Sequence, residues 1–203
     1  MTRLQVAIQD GHLSLLRSID DNPREKTVKQ IGKFIDTNKY VDTSFNGFCL
    51  NNSNSIEHFL GKSMNLIIDS SSGFGYIVLL NSNKTEKLTL YLYPGNSINE
   101  FSEFLVEPIK YTDKLNDFIE VSDKKFIATN GAYIGMTKRE LIEKYGFDKI
   151  HLTNDNSIEI FSFEISDNLH NLFLQRYNEP AYFAKYYLDQ DRIIKIEFGF
   201  VYP

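Results

Sequence analysis

The side chains in this chain that could do chemistry are few. The histidines are His12, His58, His151 and His170, and the one cysteine is Cys49. No two histidines stand at the i, i+4 spacing of HExxH or form another local metal pair. A single cysteine excludes an intrachain disulfide and a cysteine-built zinc site. As a nucleophile Cys49 would need a remote histidine. It lies in the run Phe48-Cys49-Leu50, so the expectation is a buried thiol acting as a small hydrophobe. GxSxG, the phosphate loop and GxGxxG before a helix are all missing. Asp189 and Asp191 flank an expected hairpin turn, and Glu103, Glu107 and Glu197 are expected to point outward from strands. A glycosidase-type carboxylate pair needs a set separation, and nothing in the spacing selects one. The reading is a non-enzymatic chain with no metal and no cofactor.

The tyrosines say more. Tyr91, Tyr93, Tyr182, Tyr186 and Tyr187 fall on expected strands. Alternate residues of a strand face opposite sides of its sheet. Half of these rings would be core, and half would present a large, rigid contact surface at low entropic cost. Tyr91, Tyr93, Tyr182 and Tyr186 are the candidate binding residues, each on condition that it is exposed.

Elements must position those rings. Leu4, Val6 and Ile8 alternate as in a strand, while Leu13, Leu15, Leu16 and Ile19 have spacing closer to helical. Val28, Ile31, Phe34 and Ile35 predict an amphipathic helix over 24–37, opened by Pro23. Strands are predicted over 65–68, 75–80, 87–93 and 101–106, with turns at Ser70-Ser71-Ser72-Gly73, Asn81-Ser82-Asn83-Lys84 and Pro94-Gly95-Asn96. Further strands are predicted over 157–164, 182–188 and 193–201, with Gln190-Asp191 as a turn. A hairpin is expected around Ser122-Asp123. Thr137 and Glu140 have capping-box spacing before a helix ending at Gly146. A first helix runs from Ser55 to Leu60 and stops at Gly61.

Composition narrows the class. With 203 residues, 42% of them apolar, the chain can bury a core. The net charge is −5, and the densest basic stretches are Lys124-Lys125 and Lys138-Arg139. That footprint is too small to track a phosphate backbone, so nucleic acid is not the expected partner. A mild negative charge suits a basic protein partner. No apolar run reaches the roughly 20 residues of a membrane helix, and no signal-peptide pattern stands at the N-terminus. A cytoplasmic location is expected.

The order of signals occurs twice. Asn46-Gly47 precedes a helix ending at Gly61, and Asn130-Gly131 precedes one ending at Gly146. Strands follow in each case, closing on Val106-Glu107-Pro108 and Val201-Tyr202-Pro203. These closures are 95 positions apart, the offset that also aligns Tyr91 with Tyr186. The expectation is an α+β chain of two similar modules, each with short helices on an antiparallel sheet. A leader containing the amphipathic helix (1–44) would precede the first module (45–115) and the second (116–203).

The segment Ile134-Gly135-Met136-Thr137-Lys138-Arg139-Glu140-Leu141, ending at Gly146, resembles the G-M-T-x-x-E helix signature of the outer-membrane assembly lipoproteins called SmpA/OmlA. It also resembles the tandem module of the beta-lactamase inhibitory proteins. Phe147 stands where those families usually have Pro after the terminal Gly. The resemblance implies a bacterial protein with helices on one face of an antiparallel sheet, whose work is binding another protein as an inhibitor or immunity protein does. An enzyme or small-ligand site around Cys49 and a histidine is the alternative. An envelope scaffold is a third reading.

Overall fold

The computed structural model describes residues 41–61, 66–69, 74–93, 96–97, 99–146, 158–166 and 171–201, together with the backbone of 5–9, 12–16, 35–36 and 152–155. Strands β1 (Gln5–Gln9), β2 (His12–Leu16) and β3 (Ile35–Asp36) form a small antiparallel sheet. The helical spacing expected at Leu13–Leu16 gives way to strand there, because five residues are too few for periodicity to separate the two. The amphipathic helix expected over 24–37 lies outside the described residues except at Ile35–Asp36, which are strand.

Local chemistry explains the next elements. Strands β4 (Ser44–Phe45) and β5 (Phe48–Cys49) pair across Asn46-Gly47, both at positive φ. Asn-Gly at such φ values is the favoured two-residue hairpin turn. Helix α1 (Ser53–Leu60) is capped by Asn52, whose side chain accepts from the Ser55 amide. Helix α2 (Lys138–Tyr145) carries the full capping box between Thr137 and Glu140 and ends at Gly146 in the left-handed region. Helix α3 (Leu172–Tyr177) is capped by Asn171 and ends at left-handed Asn178.

The remaining strands are β6 (Ile67–Ile68), β7 (Gly75–Leu80), β8 (Glu86–Leu92), β9 (Glu103–Pro108), β10 (Ile119–Glu120), β11 (Leu152–Asp155), β12 (Ile158–Ile165), β13 (Ala181–Asp189) and β14 (Arg192–Val201). They build one continuous sheet in the order β10-β7-β8-β9-β14-β13-β12-β11, with β6 also on β7. Every pairing is antiparallel except β10 with β7.

This corrects the expectation of two similar modules. Strand β9 bonds directly to β14, with Val106 beside Ile196 and Phe104 beside Phe198. The two meanders therefore share one hydrogen-bond ladder and one core. The suspected repeat also fails on parity. Val106 is buried at 0% exposure and Val201 is 38% exposed, so the matched triplets turn opposite faces inward. Phe118–Val121 and Lys125–Ala128 do not pair as a hairpin. Ile119–Glu120 joins β7 instead, and Ala128 bridges to Phe45.

The three α-helices among the described residues lie on one side of the sheet. Ile56 of α1, Leu141 and Tyr145 of α2 and Leu174 of α3 join the cluster formed by Leu88, Leu90, Phe104, Phe163, Tyr186, Phe198 and other inward residues. At its centre sits Asp42, fully buried. Its carboxylate accepts from Tyr145 Oη at 2.8 Å, Tyr186 Oη at 2.6 Å and the Asn130 amide at 2.7 Å. Tyr182 Oη donates to its carbonyl at 2.7 Å. One residue thus ties the chain ahead of β4 to α2 and to β13.

Candidate functional site

The other face of the sheet carries a different surface. Register places Tyr76, Tyr91, Glu103, Gly199, Phe183 and Glu164 in one row across β7, β8, β9, β14, β13 and β12. The adjacent row is Val78, Thr89, Leu105, Glu197, Lys185 and Ser162. Directly opposed residues in a sheet lie about 5 Å apart at Cβ, and diagonal ones remain within reach of long side chains. Glu103 and Glu197 are such a diagonal pair.

At one end the connection from β9 to β10 crosses this face. Lys87 holds it by reaching Asp113 at 2.7 Å and Glu107 at 3.2 Å, with its Nζ 5.9 Å from the centre of the Phe118 ring. Leu80, beside Lys87 in the register, is buried there. Tyr111 stands fully exposed on the strap. Along the rest of the face Val78, Thr89 and Gly199 are buried, Tyr76, Tyr91, Glu103, Phe183 and Lys185 are half-exposed, and none of the three α-helices lies on it.

Phe74 packs on Tyr93 and Tyr76 on Tyr91, with ring centres 5.0 and 5.9 Å apart. Tyr93 donates its hydroxyl to Glu103. Tyr187 donates to Glu197 at 2.8 Å, and Lys195 reaches the same carboxylate at 3.2 Å while lying 4.6 Å over the Tyr187 ring. Lys185 lies 4.9 Å over the Phe183 ring. Partial burial, and then the charge of Glu103, push the Tyr91 hydroxyl up to about 12. Partial burial and the hydrogen bond to a carboxylate raise Tyr93 and Tyr187 as well. Glu103 is raised, first by burial and then by Glu197, against the lowering effect of its Tyr93 bond. Glu107 moves the other way. Burial alone would raise it, and hydrogen bonds from Lys110 and Lys87 outweigh that.

The four tyrosines named from sequence divide two and two. Tyr91 and Tyr93 belong to this outer face. Tyr182 and Tyr186 are 0% exposed, with their hydroxyls on Asp42. They are core residues, and the condition attached to them is not met. The offset aligning Tyr91 with Tyr186 joins residues from opposite faces. Phe183 and Tyr187 share the outer face. Their parity on β13 could have identified them, had the inward face been known.

Cys49 is half-buried, and its thiol donates to the Gly47 carbonyl at 3.3 Å. Among the described contacts no histidine bonds to it. His58 is exposed on α1 against Phe59, His12 is described only by its backbone in β2, and His151 and His170 lie outside the described residues. Among the described residues, no group of three or more His, Cys, Asp and Glu is placed to hold a metal ion, and no helix is long and apolar enough to cross a membrane.

Comparison with protein-family models, with curated proteins and with solved structures finds no match in any of the three. The likeness of the Gly135–Gly146 helix signature to two binding-protein families rests on those residues alone.

Proposed function

We propose that this chain works by binding another protein, in the manner of an inhibitor or immunity protein, and that the outer sheet face is its docking surface. The observation that carries this reading is the row from Tyr76 through Tyr91 and Glu103 to Phe183 on a face that none of the three α-helices covers. Aromatic rings are enriched at the energetic centres of interfaces, and a rim of charges sets register and partner choice. Tyr91 and Tyr93, with Phe183 and Tyr187, supply the rings. Lys185, Lys195, Glu103 and Glu197 supply the charges.

The test is capture from the source organism's lysate on three immobilised chains: wild type, the double variant Tyr91→Ala/Phe183→Ala, and Arg139→Ala on exposed α2. One stoichiometric protein held by wild type and Arg139→Ala, and released by the double variant, is the expected result. Equal retention by all three, or no retained protein over a range of salt concentrations, would overturn the reading.

A further inference from the structure

The chain has two Asn-Gly dipeptides, Asn46-Gly47 and Asn130-Gly131. Such a pair can react with itself. Glycine has no side chain to shield its nitrogen, so that nitrogen can attack the side-chain carbonyl carbon of the asparagine before it. The bond from the glycine nitrogen to Cγ forms, and the Cγ–Nδ2 bond breaks. Ammonia leaves with the proton given up by the glycine amide. Water then opens the five-membered imide to aspartate, or to isoaspartate when it attacks the main-chain carbonyl. The sum is asparagine and water going to an acid and ammonia, with no oxidant or cofactor.

The fold holds the two sites in different ways. At Asn46 the group under attack is tied. Its Nδ2 donates to Asp123 Oδ1 at 2.7 Å and to the Lys125 carbonyl at 3.1 Å, and its Oδ1 accepts from the Ile127 amide at 2.6 Å. Its backbone amide donates to the Ile127 carbonyl at 3.1 Å. Expelling Nδ2 breaks the first two of these bonds, one of them to a charged acceptor. At Asn130 the attacking atom is tied instead. The Gly131 amide donates to the Ala128 carbonyl at 2.7 Å, and Asn130 Nδ2 donates to the Val41 carbonyl at 2.9 Å. Gly47 is exposed, so water reaches the first site.

We infer that Asn46 is a deamidation site held closed by its contacts with Asp123, Lys125 and Ile127, and that its conversion to aspartate unfastens the β4–β5 hairpin from that segment. The product carboxylate would face Asp123 where a hydrogen bond stood. A donor is lost and two like charges are brought together, which costs free energy twice over. Isoaspartate would also lengthen the main chain by one carbon inside a two-residue turn whose residues both sit at positive φ. A chain that opens here for long enough to react therefore does not close again in the same way.

The full chain is held in mildly alkaline buffer, folded and in urea, and aspartate and isoaspartate at both sites are followed by peptide mapping and mass spectrometry. Conversion at Asn46 should be slower in the folded chain than in urea by about tenfold or more, the weight of one charge-assisted hydrogen bond. Asp123→Ala should return most of that factor at Asn46 and leave Asn130 unchanged, and Asp123→Asn, which keeps an acceptor, should return less. Equal Asn46 rates in folded and unfolded wild type would overturn the inference. So would an unchanged rate in Asp123→Ala, or a parallel rise at both asparagines in both Asp123 variants, since global opening would then set the rate. The consequence is read separately on Asn46→Asp by hydrogen exchange. Faster exchange at the amides of residues 46 and 127 is expected, and protection equal to wild type would overturn the unfastening.

Discussion

Asp42 joins distant parts of the fold through one buried side chain. Two tyrosine hydroxyls and a backbone amide converge on its buried carboxylate. Replacing it with alanine leaves the two buried tyrosine hydroxyls without an acceptor and the Asn130 amide without its partner. Each such group costs about 1–3 kcal/mol, so Asp42→Ala should lose on the order of 3 kcal/mol or more in urea unfolding. The sign of its pH dependence follows from burial. Burial raises the Asp42 carboxyl above its ordinary 3.8 and outweighs the lowering effect of Tyr186, Asn130 and Tyr145. The folded state therefore holds this proton more tightly than the unfolded chain does. Its contribution is fully present below 3.8 and declines as pH rises through the higher folded value. In Asp42→Asn that titration is gone, so the stability of wild type relative to Asp42→Asn should shrink as pH rises from about 4 to 7. A difference that grows with pH would mean that the hydrogen bonds outweigh burial. Nothing in the run Tyr40-Val41-Asp42-Thr43 signals this role, because the partners of Asp42 lie 88 to 144 residues downstream.

Elements were the most legible level. Thr137 and Glu140 announce α2 at three-residue spacing, and the capping box forms as read. Removing it with Thr137→Ala should cost about 1 kcal/mol, measured by thermal unfolding. Strands β7, β8, β9, β12, β13 and β14 follow the alternation and turn residues in the sequence to within a few positions. Short elements were missed where tertiary pairing makes them. Strand β10 has two residues and exists through β7. Helix α3 has six and is set by Asn171 and Asn178, in a stretch where the sequence analysis expected no element. Which face of each strand turns inward was also hidden, since β8 carries Leu88 and Leu90 on one side and Thr89 and Tyr91 on the other, all bulky enough for either. The join between β9 and β14 depends on Gly199. A methyl group there meets backbone rather than a flexible side chain end, so Gly199→Ala must part the two strands. Overpacking of this kind costs about 1–3 kcal/mol. Hydrogen exchange should show the Phe200 amide, bonded to the Ser102 carbonyl at 2.9 Å, losing protection before those of β7.

At the scale of the molecule the join decides how the chain unfolds. Sequence order suggested two units, because local signals repeat while strand pairing leaves no local mark. The ladder instead runs from β10 to β11 without a break. Further links pass between the halves. Among them, Ile119–Glu120 completes the sheet beside β7, Asn46 bonds to Asp123 at 2.7 Å, and Asp42 bonds to Tyr145 and Tyr186. Cutting the chain after Leu115 would strip Phe104 and Val106 of the neighbours Phe198 and Ile196, and it would leave β9 and β14 as long unpaired edges. Such edges with an apolar face favour aggregation over independent folding. The whole chain should therefore lose its far-ultraviolet and tyrosine signals in one coincident denaturant transition. Fragments 1–115 and 116–203 should each lack a cooperative transition alone. Two separated transitions, or a cooperative transition in either fragment, would show that each half carries a core of its own despite the shared ladder.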